Sequence, residues 1–493
     1  MPAAAIGNYG RAMAKIVVVG GGACGLAAAL MLAADEHEVT VLERDPAPPP
    51  ESPGEDAHEK AHERAWRGWE RRGVNQFRML HLFVARWRHI IEAELPEVAK
   101  AVEAAGALRI NPVANAPAAL TGGWRDGDER YEMLTGRRPV METAVAGVAA
   151  AAPGVTVMRG AAVAGLRTGT PSADGVPHVV GVRTEAGDDI DADLVVDATG
   201  RRSPLPAWLT SIGARKPYQE LEDCGFVYYG RHFRSADGSI PPALGGYLQQ
   251  YDSTCILTLP ADNGTWGVGI VASAKDAPLR RLADADTWMR AARSYPLIAH
   301  WVEAEPLDDA PAVMAKIEDR YRRYVVDGRP VATGVVAVGD SWACTNPSLG
   351  RGVSIGLIHV QALRDHLRSA ALDDPLAFAM GWDETTEAVV GPWYRSTLAF
   401  DRHRLAEIDA QIAGEAYAPD DPAWSITKAM ERASTQDPDV LRAFLRVATV
   451  QERPDEVLAQ PGILDAVIAK GAGWEHDVAP GPSRAELVSI VKE

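Results

Sequence analysis

Cysteine is scarce and scattered. The 493 residues contain four, Cys24, Cys224, Cys255 and Cys344, and no two sit in a short C-x-x-C spacing. That argues against a zinc site and against a disulfide framework, so no metal is expected and a reducing cytoplasm is the expected home. Long apolar runs are missing as well. Nothing approaches the ~18 uninterrupted apolar residues that a membrane helix needs, and the N-terminal stretch has no long apolar core behind a basic start. Neither a membrane span nor a secretory signal is expected. Basic runs are also absent. The net charge of -17 repels nucleic-acid phosphates, which makes DNA and RNA poor partners.

Hydrophobic residues make up 47% and charged residues 24% of the chain. These are ordinary values for a folded globular protein. The length fits two intimately packed domains, or one large α/β domain with insertions, and either can enclose a sizeable cofactor.

Near the N-terminus the apolar, β-branched run Ile16 to Val19 ends in glycines. An alanine-rich stretch follows, then the alternating Glu38-Val39-Thr40-Val41-Leu42. The pattern predicts strand, helix, strand. At the first junction Gly20-Gly21-Gly22-Ala23-Cys24-Gly25 supplies G-x-G-x-x-G. Its glycines permit a tight turn and let backbone N–H groups approach a pyrophosphate at a helix N-terminus. Glu43 closes the second strand, where a carboxylate can accept hydrogen bonds from both hydroxyls of a ribose. Gly20, Gly22, Ala23, Cys24, Gly25, Glu43 and the adjoining Arg44 are the first candidate cofactor contacts. A glycine turn with a chance acid is the bland alternative, and the joint occurrence of strand, helix and acid outweighs it.

Farther along, the proline cluster Pro46 to Pro53 breaks regular structure, and the charged segment Glu55 to Arg72 reads as an exposed helix. Helical spacing dominates Phe77 to Ala105, and a helix over Arg137 to Ala152 leads into a strand at Val155 to Val157. Residues 215 to 325 change character, with alternating stretches separated by Gly, Pro and Asp turns, which predicts an inserted antiparallel sheet. Val335 to Val338 is again a buried-type strand, and a long helix begins near Gly352. From 371 onward the chain reads as helices joined by Asp/Pro turns.

Two later motifs narrow the chemistry. Leu194-Val195-Val196-Asp197-Ala198-Thr199-Gly200 is the first. Val336-Ala337-Val338-Gly339-Asp340-Ser341, followed by Pro347-Ser348-Leu349-Gly350-Arg351-Gly352, is the second. With the N-terminal motif, this set resembles the group A FAD-dependent monooxygenases. These share the p-hydroxybenzoate hydroxylase fold and are related to flavin-dependent epoxidases, halogenases and geranylgeranyl reductases. The resemblance spans roughly residues 15 to 370. It implies that Asp340, beside Gly339, binds the ribityl chain of FAD, and that Pro347, Gly350, Gly352 and Val353 seat the isoalloxazine. A strand-end carboxylate suits sugar-alcohol hydroxyls, and a helix N-terminus suits the flavin edge that becomes negative on reduction. Asp197 and Gly200 are carried over as cofactor-related, as are Arg72 of the Arg71-Arg72-Gly73-Val74-Asn75-Gln76 loop and Arg138. Asn75 departs from the proline that many relatives place there.

The implied fold is α/β. A Rossmann-like FAD-binding domain covers 15–75, 130–215 and 326–370, an antiparallel-sheet substrate domain covers 76–129 and 216–325, and a helical region covers 371–493. The implied reaction uses NADPH or NADH to reduce FAD and inserts one oxygen atom of O2 into a small organic substrate through a C4a-hydroperoxyflavin. Tyr228, Tyr229, Tyr247 and Trp266 are candidate pocket walls, and His81 is a weak catalytic candidate; no base is assigned. A reductase or dehydrogenase of prenyl or polyene substrates would use the same motifs. A halogenase is disfavoured, because W-x-W-x-I-P is missing (the nearest segment is Thr265 to Ile270) and Lys60 falls in a polar helix. A non-catalytic flavin-binding scaffold is least favoured. A separate flavin reductase and the oligomeric state stay open.

Overall fold

The structure, a computed structural model, describes residues 13–50, 58–74, 76–477 and 479–493. Asn75, the N-terminal extension up to residue 12, and the end of the proline cluster with the start of the next segment, at 51–57, lie outside these described residues.

Five parallel strands form the central sheet, in the order Val335–Ala337, Leu194–Asp197, Lys15–Val19, Glu38–Glu43, Val155–Arg159. Ile16 to Val19 is apolar throughout because both faces of the sheet are covered. Ile16 and Val18 pack against the helix Ala23–Ala34 and its neighbours. Val17 and Val19 pack against the three-stranded sheet built from Val163–Thr168, Val179–Thr184 and Asp189–Asp191. The strand at Val335–Ala337 pairs in register with Leu194–Asp197, so two segments about 140 residues apart in sequence end side by side at one edge of the sheet.

The inserted region forms a second, antiparallel sheet, in the order Leu248–Tyr251, Thr254–Pro260, Thr265–Ser273, Phe226–Arg234, Glu305–Pro306. Alternation sorts its side chains. Val227, Tyr229 and Phe233 face the helix Ala285–Arg293, and the last helix, Arg484–Lys492, packs on the same side through Leu487 and Val491. Phe226 and Tyr228 face the other way, toward Met79 and Leu257.

Two predicted elements differ in the structure. The helix expected over Glu55 to Arg72 is described over His58–Gly68, and it is not simply exposed, because Trp66 and Trp69 beyond its middle are buried. Residues 77–84 are not helical; helices begin at Ala85–Glu94 and continue as Pro96–Ala104. The non-helical stretch is spent lining the cavity described below. Among the described residues no helix is long and apolar enough to cross a membrane.

A buried ion pair fastens the two sheets' territories together. Arg137, at the start of the helix Arg138–Ala151, donates from Nε (3.1 Å) and Nη2 (2.8 Å) to Asp262, in the turn between two antiparallel strands. The Arg137 backbone N–H adds a third bond at 2.7 Å. Both side chains are fully buried, and Trp66 lies under the guanidinium at 5.1 Å. Burial alone would push the Asp262 carboxyl up, but Arg137 outweighs it and holds it below the ordinary carboxylate value. Arg137→Met therefore strands a buried carboxylate, at a cost of about 3–5 kcal/mol, and a thermal melt should show a large drop in Tm. Because the folded-state Asp262 value is depressed, its contribution is present above the unfolded value of about 3.9 and fades as pH falls through the folded one. The gap between wild type and variant should narrow in acid.

Candidate functional site

A cavity of about 1860 Å3 opens where the two glycine-bearing strand ends meet. Ligand sites are usually about 300–1,000 Å3, so this one has room for more than one molecule. At one end lie Gly20, Gly22, Ala23 and Cys24 of the first turn. Gly20 adopts φ +108°, a backbone state that glycine tolerates best. Gly25, although part of the motif, is a packing residue: a Cβ there would lie 1.9 Å from Gly20 O. Gly22 behaves oppositely, since a Cβ there would meet nothing within 4 Å. The helix Ala23–Ala34 starts with no side-chain cap, which leaves its first N–H groups and its dipole to the cavity.

Beneath this turn sits a network of buried charges. Glu43 Oε2 accepts from Gly21 N at 2.9 Å and from Arg71, and Oε1 accepts from Asp45 N at 2.9 Å. Arg71 also donates to Gly21 O (2.9 Å) and to Glu142 (2.8 Å), and Glu142 accepts from Arg138 at 2.6 Å. Burial works against the Arg71 charge, yet Glu142, Glu43 and Asp45 hold its pKa above the ordinary value. His81 is drawn into the same network. Its Nδ1–H donates to Met79 O (2.9 Å), and Arg138 donates to Nε2 (3.3 Å). Burial, with Arg138 adding to it, lowers His81 to about 3. The ring is thus neutral and already hydrogen-bonded at both nitrogens, a positioning partner for Arg138 rather than a base at neutral pH.

Midway along the cavity Asp340 projects from the strand end after Val338. Among the described residues its carboxylate makes no hydrogen bond or ion pair, and burial raises its pKa despite Arg201 and Arg138. Pro347, Gly350, Gly352 and Val353 line the cavity just beyond. Gly350 has φ +65°, and a Cβ on Gly352 would again point into open space. The helix Gly352–Ser369 likewise has no side-chain cap. On the facing wall Tyr228 donates to Asn346 Oδ1 at 2.6 Å, and Asn346 and Ser348 both donate to Asp401 Oδ1, at 3.2 and 2.7 Å. Burial pushes the Asp401 carboxyl up to about 7.

Of the sequence-derived candidates, Glu43, Arg44, Arg138, Gly200, Gly339, His81, Tyr228 and Tyr247 share this cavity with the glycines and Asp340. Five do not line it. Gly25 packs as described. Asp197 is buried below the strand end, where it accepts from Thr199 N (3.0 Å) and from Ser203, and so shapes the turn that carries Gly200. Arg72 is exposed, and Arg71 is the arginine of that loop that reaches the cavity. Trp266 points into the helix-covered face of the antiparallel sheet, with Nε1 donating to Trp301 O at 2.8 Å; strand alternation turns it away, as it does Tyr229. Sequence reasoning missed the walls supplied by residues 400–477, including Phe400, Trp424, Met430 and Phe444. Helical periodicity marks such residues as buried without saying against what.

Comparisons with known proteins give the family and the fold. A family model described as "FAD dependent oxidoreductase" matches residues 15–366. The Mycobacterium tuberculosis protein Rv3254 is 30% identical over 394 residues, covering 75% of this chain and 77% of its own. Among solved structures, the fold is similar to OxyS anhydrotetracycline hydroxylase from Streptomyces rimosus (TM-score 0.54, 16% identity, 89% of this chain and 76% of that one). It is also similar to PqsL, a probable FAD-dependent monooxygenase from Pseudomonas aeruginosa (TM-score 0.54, 16% identity, 81% of this chain and 100% of that one).

The residues fit FAD. Two uncapped helix N-termini face the cavity, two glycines leave open the space a Cβ would fill, and the Asp340 carboxylate, without a partner among the described residues, lines the same cavity. Gly22→Val should be diagnostic, because a Cβ there meets no protein atom within 4 Å and points into the open cavity. The variant should melt within a degree or two of the apoprotein, while FAD affinity by fluorescence titration falls at least tenfold, about 1.4 kcal/mol.

Proposed function

The chain belongs to the FAD dependent oxidoreductase family, and from that premise we propose that it is a monooxygenase, inserting one atom of O2 into an organic substrate by hydroxylation or epoxidation, with NADPH or NADH as reductant. The observation that carries the reading is continuity. A single cavity runs from the first glycine turn, past Asp340 and the 347–353 loop, to the uncharged face of the antiparallel sheet, so an organic molecule can lie against the flavin seat without leaving the protein interior. OxyS, an anhydrotetracycline hydroxylase, and PqsL, a probable FAD-dependent monooxygenase, support the same reading. When bound, FAD supplies two-electron reduction by a nicotinamide and the activation of O2.

What the chain itself contributes is positioning and the exclusion of water. Asp340 would accept hydrogen bonds from the ribityl hydroxyls, and the first N–H groups of Gly352–Ser369 would receive negative charge at the flavin edge. Tyr228, held by Asn346, and Tyr247, whose hydroxyl burial pushes well above its ordinary pKa and so keeps protonated, contribute wall and hydroxyl donors rather than charge. Side chains such as Leu257, Leu259 and Met314 keep that wall dry.

The test begins with anaerobic mixing of the FAD-loaded protein with NADPH or NADH, followed by labelled O2 and a panel of organic acceptors. Bleaching of the flavin and one labelled oxygen atom in a product are expected. Bleaching with an unoxygenated product would replace the proposal with a reductase or dehydrogenase. Reduction only in the presence of an added flavin reductase would move the nicotinamide to a partner.

A further inference from the structure

The substrate half of the cavity has an unusual charge balance. The antiparallel strands and the 243–248 segment place no charged side chain on it, and neither do the lining residues between 112 and 133. The residues beyond 371 place His403, Asp421, Lys428, Glu431, Arg432 and Asp477 there, and these six side chains pair off. His403 Nε2 meets Asp421 at 2.9 Å, Lys428 lies 3.8 Å from Glu431, and Arg432 pairs with Asp477. Around these pairs the wall is apolar and aromatic, with Trp424, Met430, Phe444, Leu445 and Leu458 opposite Tyr247.

Arg351 breaks the pattern. It lies in the 347–352 loop, lines the cavity and makes no ion pair among the described residues, its guanidinium resting over the Trp393 ring at 5.7 Å. Its hydrogen bond from Nη2 to Val447 O is long, at 3.4 Å, and its buried Nε has no partner. The nearest compensating carboxyl, Asp401, is raised by burial to about 7 and so is only partly ionised at neutral pH, while burial lowers Arg351 to about 10. A desolvated guanidinium with free donors is costly to keep and favours an anion that can use its planar fork.

Resting on the monooxygenase reading for the word substrate, we propose that the molecule oxidised here is bulky and mostly apolar, carries one acidic oxygen (a phenolate, enolate or carboxylate), and is held by Arg351 through that oxyanion. Its apolar body occupies the chamber under residues 422–458, where a second charge on the ligand would find every ionic group already paired. A small, highly charged acid fills neither requirement. Arg351 is thus a specificity-determining residue set between the flavin seat and the C-terminal wall.

The test measures binding and needs no turnover. The oxidised, FAD-loaded protein is titrated anaerobically with pyrenebutyrate, its neutral methyl ester and benzoate, following flavin absorbance and calorimetric heat. Pyrenebutyrate should bind about tenfold or more tightly than either of the others, about 1.4 kcal/mol. Arg351→Met should remove the acid-over-ester preference while shifting ester binding by no more than about twofold, and Phe444→Ala should weaken acid and ester alike. Equal affinity of acid and ester in the wild-type protein overturns the proposal. So does an acid preference that survives Arg351→Met, or a substitution that changes FAD retention in place of ligand preference, which would give Arg351 to the cofactor. Should Arg351→Met fail to fold, the wild-type comparison and Arg351→Lys still decide it. Selective acid binding without labelled oxygen in any product would leave this inference standing and remove the monooxygenase reading.

Discussion

The buried guanidinium of Arg71 is the interaction on which the cofactor end of this molecule depends. It ties together three segments that are distant in sequence: the glycine turn through Gly21 O, the second strand's end through Glu43, and the helix Arg138–Ala151 through Glu142. A charge this deep is tolerated only when its donors are met by anions and carbonyls. Once it is met, the partners lose their freedom as well. Glu43 is turned so that Gly21 N, Asp45 N and Arg71 hold its two oxygens, and Arg138 is held by Glu142 with His81 behind it. The site is therefore shaped before any ligand arrives, which lowers the ordering cost of binding one.

Much of the nucleotide end was legible in the sequence, for a physical reason. Glycines at a strand-to-helix turn, an acid at the next strand's end and a strand ending in Gly339-Asp340 are local signals, each set by backbone geometry over a few residues. The structure brings Gly20, Gly22, Glu43, Gly200, Asp340 and Gly352 to one cavity. Where the reading fell short, the deciding information was not local. Choosing Arg72 over Arg71 required knowing which way a loop turns, and one residue's difference moves a side chain from solvent to the core. Trp266 and Tyr229 were placed among pocket walls because aromatics suit them, but a period of two puts alternate residues on opposite faces. Without the sheet's partners, nothing in the sequence says which face is which.

The C-terminal helices were the least legible part, and they contribute most to what surrounds a substrate. Their amphipathic pattern announces burial, and the partner surface comes from strands some 180 residues earlier, as when Gln250 donates to Glu431 at 2.9 Å and accepts from Lys428 at 2.7 Å. This division of labour has a thermodynamic logic. The cofactor end needs fixed backbone donors and a rigid charge network, which regular strand and helix ends provide. The substrate end needs dry, shaped volume, and helices packed over a sheet face can alter that volume by changing side chains without disturbing the backbone on which the cofactor depends. Pairing its own charges is the condition for a wall of this kind to remain apolar toward the ligand, because each uncompensated ion would draw water or an opposite charge inside. By that argument Arg351, which makes no ion pair among the described residues, marks the point on this wall where a ligand's charge can be met.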